Sequence, residues 1–406
     1  MAGSRGRAEA SGRPASRRRR DPAVTHGIPG DRIRVAALMD TAQVSGPGRQ
    51  LAALIPRLAD AGVDVQVMLF HRIGRPRPPY ADFLADAGIA HVVLPERGPF
   101  DTTLLARVRD VLADWDPHIV QTHSYRPTAI AYVLRRRGAR WRWLGFFHGT
   151  TNEDLKVRAY HWLDRRLLGA ADRIVVMSRP QAELFGGTGP RVRQIHNAVL
   201  PAPARGPLPD PVSAQLAAIP HPRVGVIGRL SSEKGVDLFL EAMKLVGERG
   251  VVAHAIIAGD GPERARLAAQ ARALGDASSV HFLGSVHPVE PLYPELDLVV
   301  IPSRSEGLPN VLLEALRADR PVVSTDVGAV SEVLTDNAAG RVVPPLDPAA
   351  LASAIVLALT ESPSTGSVAR AAAAERFSLE RRTEGHVALY HEVLGRPAPA
   401  GLTAVR

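Results

Sequence analysis

After an apolar run at Arg223–Ile227, the stretch Gly228-Arg229-Leu230-Ser231-Ser232-Glu233-Lys234-Gly235 brackets a guanidinium and an ammonium between two glycines at the start of a helical pattern. A planar fork, a point charge and the free N–H groups of a helix N-terminus together suit a diphosphate. Two solvated cations in a surface loop are the bland alternative. Further on, Ser305-Glu306-Gly307-Leu308-Pro309-Asn310 follows another apolar run, and Glu314 lies eight residues beyond Glu306, about two helical turns in. Glu314 sits among Val311, Leu312, Leu313, Ala315 and Leu316. A carboxylate buried there needs a cation or ligand hydroxyls as partner. In the first half, Phe146-Phe147-His148-Gly149-Thr150 and Gln121-Thr122-His123-Ser124 each end an apolar run on a histidine, which aims both rings at a strand-end cleft. Ser45-Gly46-Pro47-Gly48 opens the first helical pattern, where the backbone of Gly48 could approach an anion. The spacing is not that of a dinucleotide fingerprint, and no acidic residue closes the next strand.

Elements that alternate strand and helix must position these groups. Strands are expected at Ile33–Met39, Val63–Phe70, His91–Pro95, His118–Thr122, Trp143–His148 and Arg173–Met177, with helices near 48–61, 101–114, 127–137, 153–168 and 179–185. A second series, Arg223–Ile227, Ala253–Ala258, Val280–Leu283, Leu298–Ile301, Val322–Thr325 and Gly340–Val343, repeats the pattern, and Leu379–Leu394 reads as a closing helix. Seven prolines between Pro201 and Pro222 interrupt the alternation, so an irregular linker is expected there. The expected organisation is therefore a tail at 1–30, an α/β domain at 31–200, the linker at 201–222, a second α/β domain at 223–378, a helix at 379–395 that packs back on the first domain, and a short tail at 396–406. Both domains read as doubly wound and Rossmann-like. Ligands of such sheets bind at the carboxyl ends of the strands, so the expected site is a cleft between two facing domains.

The chain has 406 residues, 45% of them hydrophobic and none of them cysteine. That length allows two cores, and the missing thiols exclude disulfides, thiolate metal sites and a cysteine nucleophile. A net charge of +9 suggests nucleic acid until it is located. Seven arginines against Glu9 and Asp21 place about five of those charges in residues 1–30, which have no apolar period and no apolar run of the kind an export signal uses. The tail is expected to be unstructured, with peripheral contact to anionic membrane as its further use. The remaining chain shows no basic-aromatic interleaving, so no specific nucleic-acid partner is expected.

Taken together, Gly-Arg-Leu-x-x-Glu-Lys-Gly at 228–235, Glu-Gly-Leu-Pro-Asn-x-x-x-Glu-Ala at 306–315 and His148-Gly149 resemble the retaining glycosyltransferases of family 4, with their two-domain GT-B architecture. Gly259-Asp260-Gly261, Phe282-Leu283-Gly284 and Ile195-His196-Asn197-Ala198 echo the same family, with Ala198 where glycine is usual. The resemblance implies a nucleoside-diphosphate sugar donor bound by the second domain and a sugar, lipid-linked or small-molecule acceptor bound by the first. Arg229 and Lys234, with Gly48, would hold the diphosphate. Glu306, with Gly307, Leu308 and Asn310, would hold the donor sugar, and Glu314 the ribose. Ser285 and Val286 would border the base. His148 and Glu306 would act at the reacting centre, with Gly46 and His123 on the acceptor side.

No metal or other cofactor is implied, and Asp114-Trp115-Asp116 reads as a helix end. The expected setting is the cytoplasm, with peripheral contact at the inner face of the cell membrane as an option, and the expected role is cell-surface polysaccharide or glycolipid synthesis. A nucleotide-sugar epimerase or hydrolase on the same fold is the alternative within enzymes, and a basic nucleic-acid-binding protein the alternative outside them.

Overall fold

Seven short runs, most of them strongly apolar, pair into one parallel sheet: β1 (Ile33–Met39), β2 (Val63–Arg72), β3 (His91–Glu96), β4 (Ile119–His123), β5 (Arg142–Phe147), β6 (Arg173–Val176) and β7 (Val192–Gln194), in the spatial order β3-β2-β1-β4-β5-β6-β7. Every pairing is parallel. A sheet covered by helices on both faces buries nearly every strand residue, which is why β1 and β4 read as continuous apolar runs rather than alternating ones. A second parallel sheet comprises β8 (Arg223–Ile227), β9 (His254–Ala258), β10 (Val280–Gly284), β11 (Leu298–Ile301), β12 (Val322–Thr325) and β13 (Arg341–Val343), ordered β10-β9-β8-β11-β12-β13. Both sheets reverse their direction of winding once, between β1 and β4 and between β8 and β11. These are the switch points at which doubly wound sheets open a crevice.

This computed structural model describes residues 32–397, except 42, 99–100, 149–154, 202–205, 276–278, 336–337 and 363, together with residue 399. The basic stretch 1–30 and the dipeptide Gly149-Thr150 lie outside the described residues. From Ile33 onward the chain forms one compact unit. No helix among the described residues is long and apolar enough to cross a membrane.

The expected strands are present with ends shifted by a residue or two, and three of the additional elements are instructive. β7 is only Val192-Arg193-Gln194, an edge strand too short and polar to carry a period. Helix Pro79–Asp86 starts with proline at its first position and buries Tyr80, Ala81 and Leu84. The proline-rich passage, expected to be irregular, holds helix Asp210–Ala217: Pro211 falls in its first turn, where the missing N–H costs nothing, and Val212 and Leu216 are buried.

The closing helix Leu379–Leu394 has Ser378 as its N-cap and glycine at its C-cap in the left-handed conformation. It buries Val387, Leu389, Tyr390 and Val393, each worth roughly 1.5–3 kcal/mol when fully removed from water. Its contacts reach the first sheet: Tyr390 Oη donates to Gln121 Oε1 at 2.9 Å, and Glu392 pairs with Arg173 at 2.8 Å and Arg193 at 2.9 Å.

Candidate functional site

The loop after β8 and the loop after β11 meet at the switch point of the second sheet. Lys234 ends a short 3-10 turn, and Gly235 follows in the left-handed conformation with its Cα against the carbonyl of Pro302, where any side chain would collide. That close approach delivers Lys234 Nζ to Glu306 Oε1 at 2.7 Å, and Ser303 Oγ donates to the same oxygen at 2.7 Å. Arg304 braces the junction with two bonds of 2.7 Å to Asp237 on the following helix. This fork holds the Asp237 carboxyl below the usual range despite the opposing effect of burial. Arg229 leaves the end of β8 as an exposed side chain. Its loop is locked to the next one by Gly228 N to Ala258 O (2.9 Å) and Leu230 N to Asp260 O (2.9 Å).

Helix Asn310–Arg317 rises from the same loop and carries Glu314 inward, 7% exposed, as its apolar neighbours require. Its partners come from both lobes: Arg49 Nη2 at 2.6 Å on Oε1 and Tyr293 Oη at 2.5 Å on Oε2. Burial and the adjacent carboxylate push the Tyr293 phenol well above its ordinary range. A carboxylate accepts about four hydrogen bonds, so two directions remain for hydroxyls. Beside it, Asn310 Oδ1 accepts from Gln50 Nε2 at 3.0 Å and Asn197 Nδ2 at 3.3 Å. Gln50 itself clasps Ala198 through both backbone groups, at 2.8 and 2.9 Å.

Two glycines of the first loop have different surroundings from those expected. Gly46 packs against the Asn310 side chain, 2.7 Å from where a Cβ would sit. The Gly48 N–H is capped by Ser45 Oγ at 3.2 Å, its carbonyl accepts from Tyr80 Oη at 2.9 Å, and a Cβ would meet the Tyr80 ring. Close packing against Tyr80 therefore accounts for this glycine, and its N–H already has a partner within the chain.

The carboxyl ends of β4 and β5 bring His123 and His148 together, Nδ1 to Nε2 at 2.8 Å. His148 is partly exposed, with its carbonyl against Gly307 of the second lobe. His123, expected to open toward an acceptor, is instead 6% exposed and stacked on Phe146 at 4.6 Å, behind His148. The physical reason is pairing: His123 belongs to β4 itself, in register with Met39 and Phe146, so its ring is enclosed by its neighbours. The closing helix seals the back of the pair with His386, 5.8 Å from the Phe146 ring, and Arg382, which donates to His196 O at 2.8 Å and Asn197 Oδ1 at 2.9 Å. Burial, aided by the Arg382 charge, lowers His148 to about 4 and His386 to about 3, while burial and the neighbouring His148 and His386 hold His123 well below its ordinary value. Burial lowers Arg382 itself to about 10.

Ser285 is exposed in the loop after β10, whereas Val286 is 4% exposed and packs in the hydrophobic core. Arg49, Gln50, Tyr293, Arg382 and His386 join the site without having been singled out. Arg382, His386 and Tyr390 did carry a signal, a polar stripe at spacing four within an otherwise apolar helix face. Asp114 lies in the last turn of helix Thr102–Trp115, and Asp116 is its left-handed cap, as expected for a helix terminus. Among the described residues no group of three or more histidines, aspartates or glutamates is placed to hold a metal ion.

Comparison with known proteins places the chain among glycosyltransferases by sequence and fold. Residues 221–361 match the family model described as glycosyl transferases group 1, and residues 45–203 match the one described as glycosyl transferase 4-like domain. Alpha-D-kanosaminyltransferase from Streptomyces kanamyceticus is 34% identical over 178 residues, covering 43% of this chain and 46% of the relative. The lipopolysaccharide core biosynthesis mannosyltransferase LpcC from Rhizobium leguminosarum bv. viciae is 33% identical over 180 residues, 42% of this chain and 51% of the relative. The chain thus spans about half the length of the curated relatives it matches. In fold, it is similar to Anabaena Alr3699/HepE solved with UDP-glucose, with a TM-score of 0.72 at 19% identity over 89% of this chain and 99% of that one. A sucrose-phosphate synthase from Thermosynechococcus elongatus superposes with a TM-score of 0.71 at 20% identity, over 90% and 100% of the two chains.

Proposed function

The chain belongs to the family 4 glycosyltransferases, and from that premise we propose that it moves a sugar, with retention, from a nucleoside-diphosphate sugar to an acceptor hydroxyl. The observation that carries the reading is the meeting of Lys234 and Glu306 at 2.7 Å, 72 positions apart in sequence, at the switch point of the second sheet. The ammonium is available to a diphosphate whose negative charge grows as the glycosidic bond breaks. Its attraction therefore strengthens toward the transition state and lowers the barrier, not merely the binding energy. Glu306 orients that ammonium and offers its other oxygen to hydroxyls of the donor sugar. The N-terminus of helix Asn310–Arg317, whose cap makes no side-chain hydrogen bond, adds a partial positive charge. Glu314 accepts from the ribose with the capacity left by Arg49 and Tyr293, and Arg229 supplies a second cation from its exposed loop position. Retention by same-face attack, with the leaving phosphate accepting the acceptor's proton, follows from the family resemblance.

The donor is proposed to be a UDP-sugar, since the structural neighbour Alr3699/HepE is solved with UDP-glucose. Two curated relatives act in lipopolysaccharide core biosynthesis, which supports a role in surface polysaccharide or glycolipid synthesis. Mass spectrometry of the full chain incubated with UDP-, GDP- and ADP-sugars and a panel of glycoside and lipid-linked acceptors tests the reading. Transfer predicts an acceptor heavier by one sugar residue together with free nucleoside diphosphate. An epimerase or a hydrolase would leave every acceptor unchanged.

A further inference from the structure

His123 and His148 are joined through one nitrogen each, 2.8 Å apart, and the other ring nitrogen of His123, Nε2, is buried with no hydrogen-bond partner among the described residues. A hydrogen bond between two neutral imidazoles needs one N–H and one lone pair, which leaves two proton arrangements. Were His148 the donor, His123 would carry its proton on the partnerless Nε2 and bury an unmet N–H. With His123 donating from Nδ1, the partnerless atom is a bare lone pair, and buried orphan acceptors are tolerated better than buried orphan donors. We propose that His123 is a positioning residue: it donates Nδ1–H to Nε2 of His148, fixes the His148 proton on Nδ1, and so makes His148 a hydrogen-bond donor, not a general base, toward the bound sugar. The role in transfer rests on the function proposed above, whereas the tautomer does not.

The surroundings agree. Among the described residues the charged and titratable groups facing the pair are Arg382 and His386, both on the closing helix, and Phe146 lies between the rings of His123 and His386. A fixed guanidinium and a stack of rings disfavour a second positive charge, so both histidines stay neutral at physiological pH and the single shared hydrogen bond sets the tautomer. With Nε2 of His148 occupied, the ring retains Nδ1–H to offer to a sugar hydroxyl or to a phosphate oxygen gaining charge, where a donor stabilises more than a lone pair could.

Long-range ¹H–¹⁵N correlation spectra of the full chain labelled at histidine, with H148A assigning the resonance, read the tautomer without any ligand. His148 is expected to show a pyridine-type Nε2 and a pyrrole-type Nδ1; the reverse pattern, or rapid averaging of the two, overturns the proposal. In steady-state kinetics with the nucleotide sugar that the donor panel identifies, H123L should lower kcat by roughly 10–100-fold, the scale of losing an outer partner of a functional histidine, with the donor KM nearly unchanged. H123N, whose amide N–H replaces Nδ1–H, should recover most of that turnover, and this holds the test open if H123L folds poorly. Equal losses in both variants, or none in either, would overturn it. A reversed tautomer in an enzyme that still transfers sugar refutes only this proposal, while the expected tautomer in a chain that transfers to no acceptor refutes only the function.

Discussion

Lys234 and Glu306 form the ion pair on which the proposed function turns. Under the proposed mechanism, replacing Lys234 with alanine removes the cation from the growing phosphate charge, and it leaves the Glu306 carboxylate with only Ser303 of these two partners. We expect K234A to lose about 10²–10³ in kcat, or roughly 2.7–4 kcal/mol, while unfolding as cooperatively as the wild type. Single-turnover kinetics with the tightest-binding donor checks this, and a rate within a factor of about three of wild type would remove Lys234 from the mechanism. The motif residues were legible because their types and spacing are local. Glu314 was legible as a buried acid needing a partner, but its partners were not: Arg49 is 265 positions away, and that contact exists only once the two lobes meet.

At the scale of elements, the strand runs could be read closely because parallel strands buried on both faces are nearly pure apolar segments, and the site loops followed from the rule that such sheets bind at their carboxyl ends. β7 and helix Asp210–Ala217 could not be read, the first for want of length and the second because proline in a first helical turn looks the same in sequence as proline in a linker. Two elements also set how stability depends on pH. Helix Leu155–Leu168 buries Asp164, whose Oδ1 has no partner among the described residues, and burial raises its carboxyl to about 6 despite a hydrogen bond from Thr128. The folded state then holds a proton that the unfolded chain releases above about 4, so this group's contribution is present at low pH and is lost as pH rises through about 6. D164N should raise the thermal unfolding midpoint at pH 8 and leave it unchanged at pH 4, as differential scanning calorimetry would record; equal shifts at both values would contradict the assignment.

The closing helix and the ends of β4 and β5 act in the opposite sense. His123, His148 and His386 are all held below their ordinary value in the fold, so their contribution is present above about 6.5 and is lost as pH falls below it. Near pH 5 the unfolded chain binds about three more protons at these histidines and about one fewer at Asp164, so these four groups together make acidification weaken the fold by about two protons of slope. H386F should lower that slope by about one proton in urea titrations from pH 7 to 5. An unchanged slope would mean that His386 is not neutral in the fold.

For the whole molecule, a formal charge of +9 said little about function until it was divided along the chain. About five units lie in residues 1–30, and only three of the 50 basic side chains are lysine, of which Lys234 stands at the proposed phosphate site. Cations of the protein itself are expected to neutralise the leaving group, so transfer should proceed unchanged in excess EDTA; activity that falls with chelator and returns with a divalent ion would contradict this. The most direct test of the account is the mass of an acceptor after incubation with a nucleotide sugar, compared between the wild-type chain and K234A. The account predicts an acceptor heavier by one sugar residue with the wild type and nearly none with K234A over the same period, while equal product from both, or nucleotide release with no sugar gained by any acceptor, would contradict it.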